Sequence, residues 1–434
     1  MKVKKDKIKI ITLGCSKNLV DSEFIMSQMK SNDIEIVEDE RDSNTVLINT
    51  CGFIEAAKQE SIDTILRAVD LKNKNKIESV YVAGCLSDRY GDELRQEIPQ
   101  VDRYFGATDR HQTVVDILNE IGVDYKSNLL GERILTGPNH FAYLKISEGC
   151  NNPCSFCAIP IMRGKHVSKP LKQIIMEAQS LASKGVKELV IIGQDTTYWG
   201  FDNENKRTIS TVLKELSQVK GIEWIRLMYA YPSRFPDDLI ATIRDTDNMC
   251  KYLDMPVQHI SDNVLKSMRR GITNKTLMNL FDKIRTEIPG IALRTTFITG
   301  YPDETEKDFE QLLQFVKDFK FERLGVFPYS HEEGTSAFDM PDRIPYKEKL
   351  LRQKILLDAQ KENSLEANRQ SIGKTYKVIV DRKEKDYYIG RSYKDAPEID
   401  QEIYINNNPE IQIGNFYDVK IYDSEEFDLF GEKV

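Results

Sequence analysis

Three short apolar runs near the start of the chain each lead directly into a cysteine. The runs span residues 8–13, 45–49 and 79–84, and helical patterns follow them at residues 19–30, 53–71 and 88–97. Asn18 is expected to cap the first of these helices. Strands that alternate with helices form a wound parallel sheet, whose strands all end at one edge. Cys15, Cys51 and Cys85 follow the three predicted strands, so they are expected to meet in space.

Glycines lie next to these cysteines, at Gly14, Gly52 and Gly84, and they allow the backbone to approach another group closely. Three cysteines buried in the core are the simpler interpretation, because cysteine is commonly buried. Their shared position favours a metal centre instead. A closed structural zinc site needs four ligands, whereas three thiolates suit an iron–sulfur cluster with one iron left open.

A second group of three cysteines lies within eight residues, in the motif Cys150-x-x-x-Cys154-x-x-Cys157. Two asparagines and a proline separate the first pair, which indicates a loop that curls around one object. A zinc knuckle without its fourth ligand is the alternative. The spacing, with Phe156 before the last cysteine, resembles the motif of radical S-adenosylmethionine enzymes. In those enzymes three cysteines hold a four-iron cluster, and its free iron binds S-adenosylmethionine.

Composition and charge exclude several classes of protein. Lys and Arg total 61 against 69 for Asp and Glu, a net charge of −8, so the chain as a whole is not a strongly basic polyanion binder. No apolar run approaches the ~20 residues of a membrane helix, and the first apolar stretch is too short for a signal peptide. We therefore expect a cytoplasmic protein without membrane contact.

The rest of the chain predicts two further domains. A second alternation of strands and helices indicates a partial β/α barrel, a long charged helix follows at residues 346–371, and short alternating strands then indicate a small all-β barrel. The predicted fold class is α/β. Its domains are a wound parallel α/β domain at residues 1–134, a central partial β/α barrel at residues 135–368 and a small all-β barrel at residues 369–434.

This order of parts resembles the methylthiotransferases, which join a three-cysteine domain, a radical S-adenosylmethionine core and a TRAM barrel. The segments LGCSKNLVDSE and GRSYKDAPEID are similar to the branch that modifies a ribosomal protein, rather than to the branch that modifies tRNA. Asp303 and Gln401 depart from the family pattern, which commonly has glycine at both positions.

The resemblance implies methylthiolation of the β-carbon of an aspartate in small-subunit ribosomal protein S twelve. It implies two [4Fe-4S] clusters, one on each cysteine triplet, together with S-adenosylmethionine and an electron donor protein. The Cβ–H bond of aspartate is not acidic enough for a general base, so a radical route is reasonable. The alternatives are a tRNA methylthiotransferase that acts on a modified adenosine, and an iron–sulfur electron carrier.

Further site residues follow from the same resemblance, and no acid–base catalyst is assigned. Radical S-adenosylmethionine barrels contact their cofactor at the positions of Gly193, Gln194, Asp195, Thr299 and Gly300, and Arg163 is a further candidate for cofactor or substrate contact. Each of them could instead serve a turn or a cap. His259 is expected to be a hydrogen-bonded structural histidine rather than a cavity residue, and Cys250 a packed core residue.

The charge of the last domain bears on the substrate. Residues 372–434 contain nine Lys and Arg against fourteen Asp and Glu, and they end in the acidic stretch DSEEFDLFGE. A domain that grips tRNA would need cations for the phosphates, so direct nucleic-acid binding is not expected. An acidic surface suits a basic ribosomal protein. A solvated face without any partner is the alternative.

Iron analysis tests the assignment of the six cysteines. The protein reconstituted without oxygen is expected to bind about eight iron atoms per chain, because each triplet would hold a four-iron cluster. A variant with alanine at Cys15, Cys51 and Cys85 should bind about four. An iron and sulfide content that is equal in both proteins would contradict a cluster at the N-terminal triplet.

Overall fold

Two parallel sheets and a closed barrel make up the architecture of the protein. The computed structural model describes residues 7–107, 110–129, 131–202 and 208–434. It contains a five-stranded sheet, a six-stranded sheet and a five-stranded closed barrel, in this order along the chain. This arrangement confirms the predicted α/β class and its three parts. The predicted domain boundaries fall between these units and stay predictions.

The first sheet is parallel throughout, with the strand order β2-β1-β3-β4-β5. Its elements are β1 (Lys7–Thr12), α1 (Ser16–Ser31), β2 (Glu35–Ile36), β3 (Thr45–Thr50), α2 (Glu55–Asn73), β4 (Ser79–Gly84), α3 (Cys85–Glu97), β5 (Arg103–Tyr104) and α4 (Arg110–Ile121). All six residues of β3 are buried, as expected for a central strand that is covered on both faces. The three strands predicted before the cysteines are confirmed.

The expected cap at Asn18 is wrong. Helix α1 begins at Ser16, and Cys15 occupies the N-cap position. The Asn18 side chain instead donates hydrogen bonds to the carbonyls of Leu13 and Thr50, at 2.9 and 3.0 Å. Asn18 therefore ties the ends of two strands together, a role that depends on contacts between distant parts of the chain.

The second sheet is also parallel and has the order β13-β12-β11-β10-β9-β6. Its strands are β6 (Phe141–Lys145), β9 (Glu188–Ile192), β10 (Trp224–Leu227), β11 (Met249–Asp254), β12 (Ala292–Thr299) and β13 (Arg323–Pro328), with a separate small pair, β7 (Ser147–Glu148) and β8 (Val167–Ser168). The helices of this part are α5 (Ile159–Arg163), α6 (Leu171–Ser183), α7 (Ile209–Leu216), α8 (Leu239–Asp245), α9 (Asp262–Ser267), α10 (Asn274–Glu287), α11 (Glu306–Phe319) and α12 (Tyr346–Arg369).

No helix among the described residues is long and apolar enough to span a bilayer.

The two faces of this sheet have different partners. Leu189 and Ile191 of β9 pack against the outer helices. Val190 and Ile192 face the other way and cluster with Ile379 of the C-terminal barrel. Because side chains alternate along a strand, one face of the sheet is covered by helices and the other by the barrel.

The barrel closes in the order β14-β15-β16-β18-β17. Its strands are β14 (Thr375–Glu384), β15 (Tyr387–Ser392), β16 (Glu402–Asn406), β17 (Phe416–Ser424) and β18 (Asp428–Lys433). Strand β18 lies within the acidic C-terminal stretch, which the sequence indicated only as a charged surface. It pairs with β16 and β17 and closes the barrel.

Buried ion pairs attach the barrel to the central sheet. Glu188 of β9 accepts a hydrogen bond from Arg226 at 2.7 Å and forms an ion pair with Arg391 of the barrel at 2.8 Å. Burial alone would raise the pKa of Glu188, but the two arginines hold it below its ordinary value. The barrel carboxylates Asp395 and Asp400 pair in turn with Arg323 and Arg294. Part of the acidic charge of the barrel therefore neutralises arginines of the sheet instead of facing a partner.

Removing one arginine tests this attachment. Arg391→Ala removes the buried cation that Asp381 and Glu188 share and leaves Glu188 with Arg226 alone, so we expect a loss of about 3 kcal/mol or more in unfolding free energy. The control Arg382→Ala removes a half-exposed arginine of the same barrel and should cost at most about 1 kcal/mol. Trp224 packs against Phe416 of the barrel, so tryptophan fluorescence during urea unfolding reports the change. Equal midpoints for the two variants would contradict the proposed attachment.

Candidate metal centres

The N-terminal cysteine triplet lies at one edge of the first sheet. Cys15 caps α1, Cys51 directly follows β3, and Cys85 is the first residue of α3. A Cβ atom on Gly14 would lie 2.6 Å from the Cβ of Cys51, so only glycine permits this approach. Gly14 also has a φ of +86°, which other residues rarely adopt. The structure thus brings the three cysteines to one place, as the strand pattern predicts.

The thiols of this triplet influence one another. Burial raises the pKa of Cys51 to about 11, and the neighbouring Cys85 and Cys15 add to this rise. Burial also raises the pKa of Cys85, which Arg163 partly offsets. The Arg163 Nε atom donates a hydrogen bond to the Cys85 sulfur at 3.1 Å. A cation at this place favours the thiolate, which is the form that binds a metal.

The second triplet lies in the loop between β7 and α5. The Cys157 N–H donates to the Cys154 carbonyl at 3.2 Å, and the Asn152 N–H donates to the Cys150 sulfur at 3.4 Å. Arg270 donates to the Cys154 sulfur at 3.2 Å. Burial raises the pKa of Cys150 to about 11 and that of Cys157 to about 12. The loop therefore curls upon itself, as expected for a chain that surrounds one object.

Contacts from other segments of the central part of the chain fix the shape of this loop. Ser155 donates its N–H to the Met268 carbonyl at 3.1 Å and accepts the Ala337 N–H at 2.8 Å. The Asn152 side chain donates to the Asp195 carboxylate at 2.7 Å. Asp195 thus positions the cysteine loop from the end of β9.

Helix α5 joins the two triplets. It begins two residues after Cys157. Ala158, which caps the helix, and Met162 within it pack against Cys85. Arg163, the last residue of α5, bonds to Cys85 as described and also pairs with Asp21 of α1 at 2.9 Å. In the described part of the chain, no three His, Cys, Asp or Glu side chains are placed to hold a single metal ion. In a four-iron cluster, by contrast, each thiolate binds a different iron.

The other predicted site residues separate into two groups. Gly193, Gln194, Asp195 and Arg163 lie around the cysteine loop. A Cβ on Gly193 would lie 2.7 Å from the Ser147 hydroxyl, and the Gln194 amide donates to Glu148 at 2.6 Å. Thr299 and Gly300 instead contact Lys349 of α12, and no described contact joins them to the loop.

Several buried polar atoms near the loop have no partner among the described residues. They are Ser147 Oγ, Gln194 Oε1 and Arg270 Nε, and Gln258 Oε1 beside β12 is unpaired as well. Buried polar atoms are rarely left unsatisfied, so this set fits a polar ligand such as S-adenosylmethionine. His259 accepts the Ser261 N–H at 3.0 Å, and burial lowers its pKa to about 3, so it is neutral.

Two residues that contact a cysteine escaped the sequence analysis. The Tyr231 hydroxyl lies 3.5 Å from the Cys154 sulfur, and Arg270 lies over the Tyr231 ring at 4.2 Å. Neither stands in a recognisable motif with Cys154, from which Tyr231 is 77 residues and Arg270 116 residues away. Cys250 is buried in a packed apolar cluster, as expected.

Comparison with known families divides the chain into the same three parts. The uncharacterised protein family UPF0004 matches residues 7–106, the radical SAM superfamily matches residues 144–316, and the TRAM domain matches residues 372–434. These matches agree with the first sheet, the second sheet and the closed barrel of the structure.

Curated relatives match over the full length. The chain is 52% identical over 433 residues to "Ribosomal protein uS12 methylthiotransferase RimO" of Cytophaga hutchinsonii, which covers 99% of this chain and 98% of that relative. It is 50% identical over 438 residues to the protein of the same name from Chloroherpeton thalassium, with all of both chains covered.

Solved structures resemble the chain in fold alone. The radical S-adenosylmethionine methyltransferase TsrM from Kitasatospora setae, with cobalamin and a [4Fe-4S] cluster bound, has a TM-score of 0.54 at 12% identity and covers 75% of each chain. The cobalamin-dependent radical enzyme OxsB has a TM-score of 0.51 at 12% identity, over 82% of this chain and 56% of that chain.

Proposed function

The chain belongs to the RimO family of ribosomal protein uS12 methylthiotransferases, and from this membership we propose a role for each of its cysteine triplets. It is a radical SAM enzyme that acts on ribosomal protein uS12. The identity of about half of all residues over the whole chain carries this conclusion. The acceptor is proposed to be the β-carbon of an aspartate side chain in that protein.

The second triplet, Cys150, Cys154 and Cys157, is proposed to hold the [4Fe-4S] cluster that binds S-adenosylmethionine. The N-terminal triplet, Cys15, Cys51 and Cys85, is proposed to hold a second [4Fe-4S] cluster that carries the sulfur to be transferred. When bound, these groups supply a carbon radical that removes hydrogen from an unactivated C–H bond, and a methylthio group that replaces it.

Residues around the two cysteine triplets favour the thiolate form and fix the shape of the loop. Arg163 favours the thiolate of Cys85, and Asp195 holds the shape of the second loop through Asn152. The unpaired buried atoms of Gln194 and Gln258 are proposed to bind the cofactor. Cys150 and Cys157 are half-buried, which would limit the access of water to a cluster held there and protect a reactive radical from side reactions.

The contact through α5 supports action of the two triplets on one substrate. Arg163 bonds to Cys85 and belongs to the helix that follows Cys157, so a single segment borders both places. An electron donor protein is proposed as a further partner, and the cytoplasm as the place of reaction, because ribosomal proteins are found there.

Single cysteine variants separate the two roles. Cys154→Ala should abolish both 5′-deoxyadenosine and methylthiolated peptide, because it removes a ligand of the cluster that cleaves S-adenosylmethionine. Cys51→Ala should retain 5′-deoxyadenosine and lose only the methylthio product. Cys250→Ala, a buried cysteine outside both triplets, should retain both products. Chromatography of the nucleoside and mass spectrometry of a uS12 peptide that contains the target aspartate measure them.

The same assay distinguishes the alternative functions. A methylthio group found on tRNA and absent from the peptide would contradict the proposed substrate. A reduced protein that forms no 5′-deoxyadenosine from S-adenosylmethionine would instead be an electron carrier.

A further inference from the structure

The Lys17 side chain is mostly buried, and its ammonium group has no opposite charge beside it in the part of the chain that the structure describes. It lies in the first turn of α1, two residues after Cys15, and is only 8% exposed. Its ammonium nitrogen lies 3.1 Å from the centroid of the Tyr229 ring. Within the described residues, no hydrogen bond or ion pair joins this nitrogen to a carboxylate or a carbonyl. An accessible ammonium group without a counter-charge, on an otherwise buried side chain, is suited to bind an anion.

The carboxylates closest to Lys17 in sequence are bound to other cations. Asp21, one turn further along α1, pairs with Lys145 at 2.5 Å and with Arg163 at 2.9 Å. Glu23 accepts hydrogen bonds from Thr136 and lies 3.6 Å from Arg133. The helix that carries Lys17 therefore does not supply its counter-charge.

The aromatic partner of Lys17 is held in an unusual conformation. Tyr229 follows β10 and has a φ of +59°, in the left-handed region that non-glycine residues rarely adopt. Its N–H donates to the Asp254 carboxylate at 3.0 Å, and its carbonyl accepts the Thr196 N–H at 3.1 Å. Asp254 is fully buried and pairs with Arg294, so it is bound to another cation as well. Such a conformation persists only where the surroundings impose it, often at ligand sites.

This place is flanked by a cysteine of each triplet. Cys15 caps the helix on which Lys17 lies. Tyr231, two residues after Tyr229, has its hydroxyl 3.5 Å from the Cys154 sulfur. Lys17 and its aromatic partner therefore belong to two segments, of which one carries a cysteine of the first triplet and the other contacts a cysteine of the second.

We propose that Lys17 binds the carboxylate of the target aspartate and thereby selects the substrate. This inference rests on the proposed function. In aspartate the carboxylate carbon is bonded directly to the β-carbon, so an ammonium group that fixes the carboxylate also positions the reacting carbon. Asparagine lacks this charge, and so does an adenine ring. S-adenosylmethionine also has a carboxylate, but Lys17 belongs to the helix of Cys15 and not to the loop that would bind this cofactor.

Peptide binding tests the proposal. The affinities of two uS12 peptides, one with the target aspartate and one with asparagine in its place, are measured by fluorescence anisotropy with the reconstituted enzyme. The wild type should bind the aspartate peptide roughly tenfold or more tightly, because a hydrogen bond to a charged group is worth about 1.5 to 3 kcal/mol. Lys17→Met should bind both peptides equally. The control Lys30→Met, an exposed lysine at the other end of the same helix, should keep the preference.

Two further measurements on this variant decide between this role and others. Lys17→Met should keep the iron content and the affinity for S-adenosylmethionine of the wild type. A variant that keeps the peptide preference but binds S-adenosylmethionine weakly would place Lys17 at the cofactor and overturn the proposal. A variant that loses iron together with the preference would make Lys17 a support of the cluster, and would also overturn it.

The failure of the proposed function would look different. A wild-type enzyme that methylthiolates no aspartate peptide would overturn that function, and the role of Lys17 with it. A wild-type enzyme that methylthiolates the aspartate peptide but binds both peptides equally would overturn only the role of Lys17.

Discussion

One guanidinium group joins the two cysteine triplets. Arg163 is buried at the end of α5, where it bonds to the Cys85 sulfur and pairs with Asp21 and Glu148. Its remaining nitrogen bonds to the Asn18 side chain, which in turn ties together two strand ends of the first sheet. Burying the Arg163 charge without these partners would strongly destabilise the folded state. The edge of the first sheet is therefore held against the loop of the second triplet.

The same kind of contact attaches the C-terminal barrel to the central sheet. Arg226 and Arg391 converge on Glu188, and the barrel carboxylates Asp395 and Asp400 pair with two further arginines of the sheet. The acidity of the last domain thus contributes less to substrate recognition than its sequence indicates. The proposed recognition of an aspartate uses a cation near the cysteines. Lys17, a mostly buried lysine two residues after Cys15, supplies this cation.

Much of the fold follows from local sequence patterns. The strands before Cys15, Cys51 and Cys85 are predicted to within about one residue, because each is a short apolar run that ends at a glycine or a polar residue. The contacts of Asn18, Tyr231 and Arg270 could not be predicted in this way. Each of them joins residues that are far apart in sequence, so no local periodicity records it. The sequence does not predict strand β18, because its short apolar pair, Leu429 and Phe430, lies among charged residues and shows no regular alternation.

The position of the two metal centres tests this account most directly. Diffraction at the iron absorption edge, from crystals of the reconstituted protein, would locate the iron of each cluster. We predict one iron peak at each triplet, with no layer of packed side chains between the two peaks. Iron at only one triplet, or two iron peaks separated by packed side chains, would contradict the account.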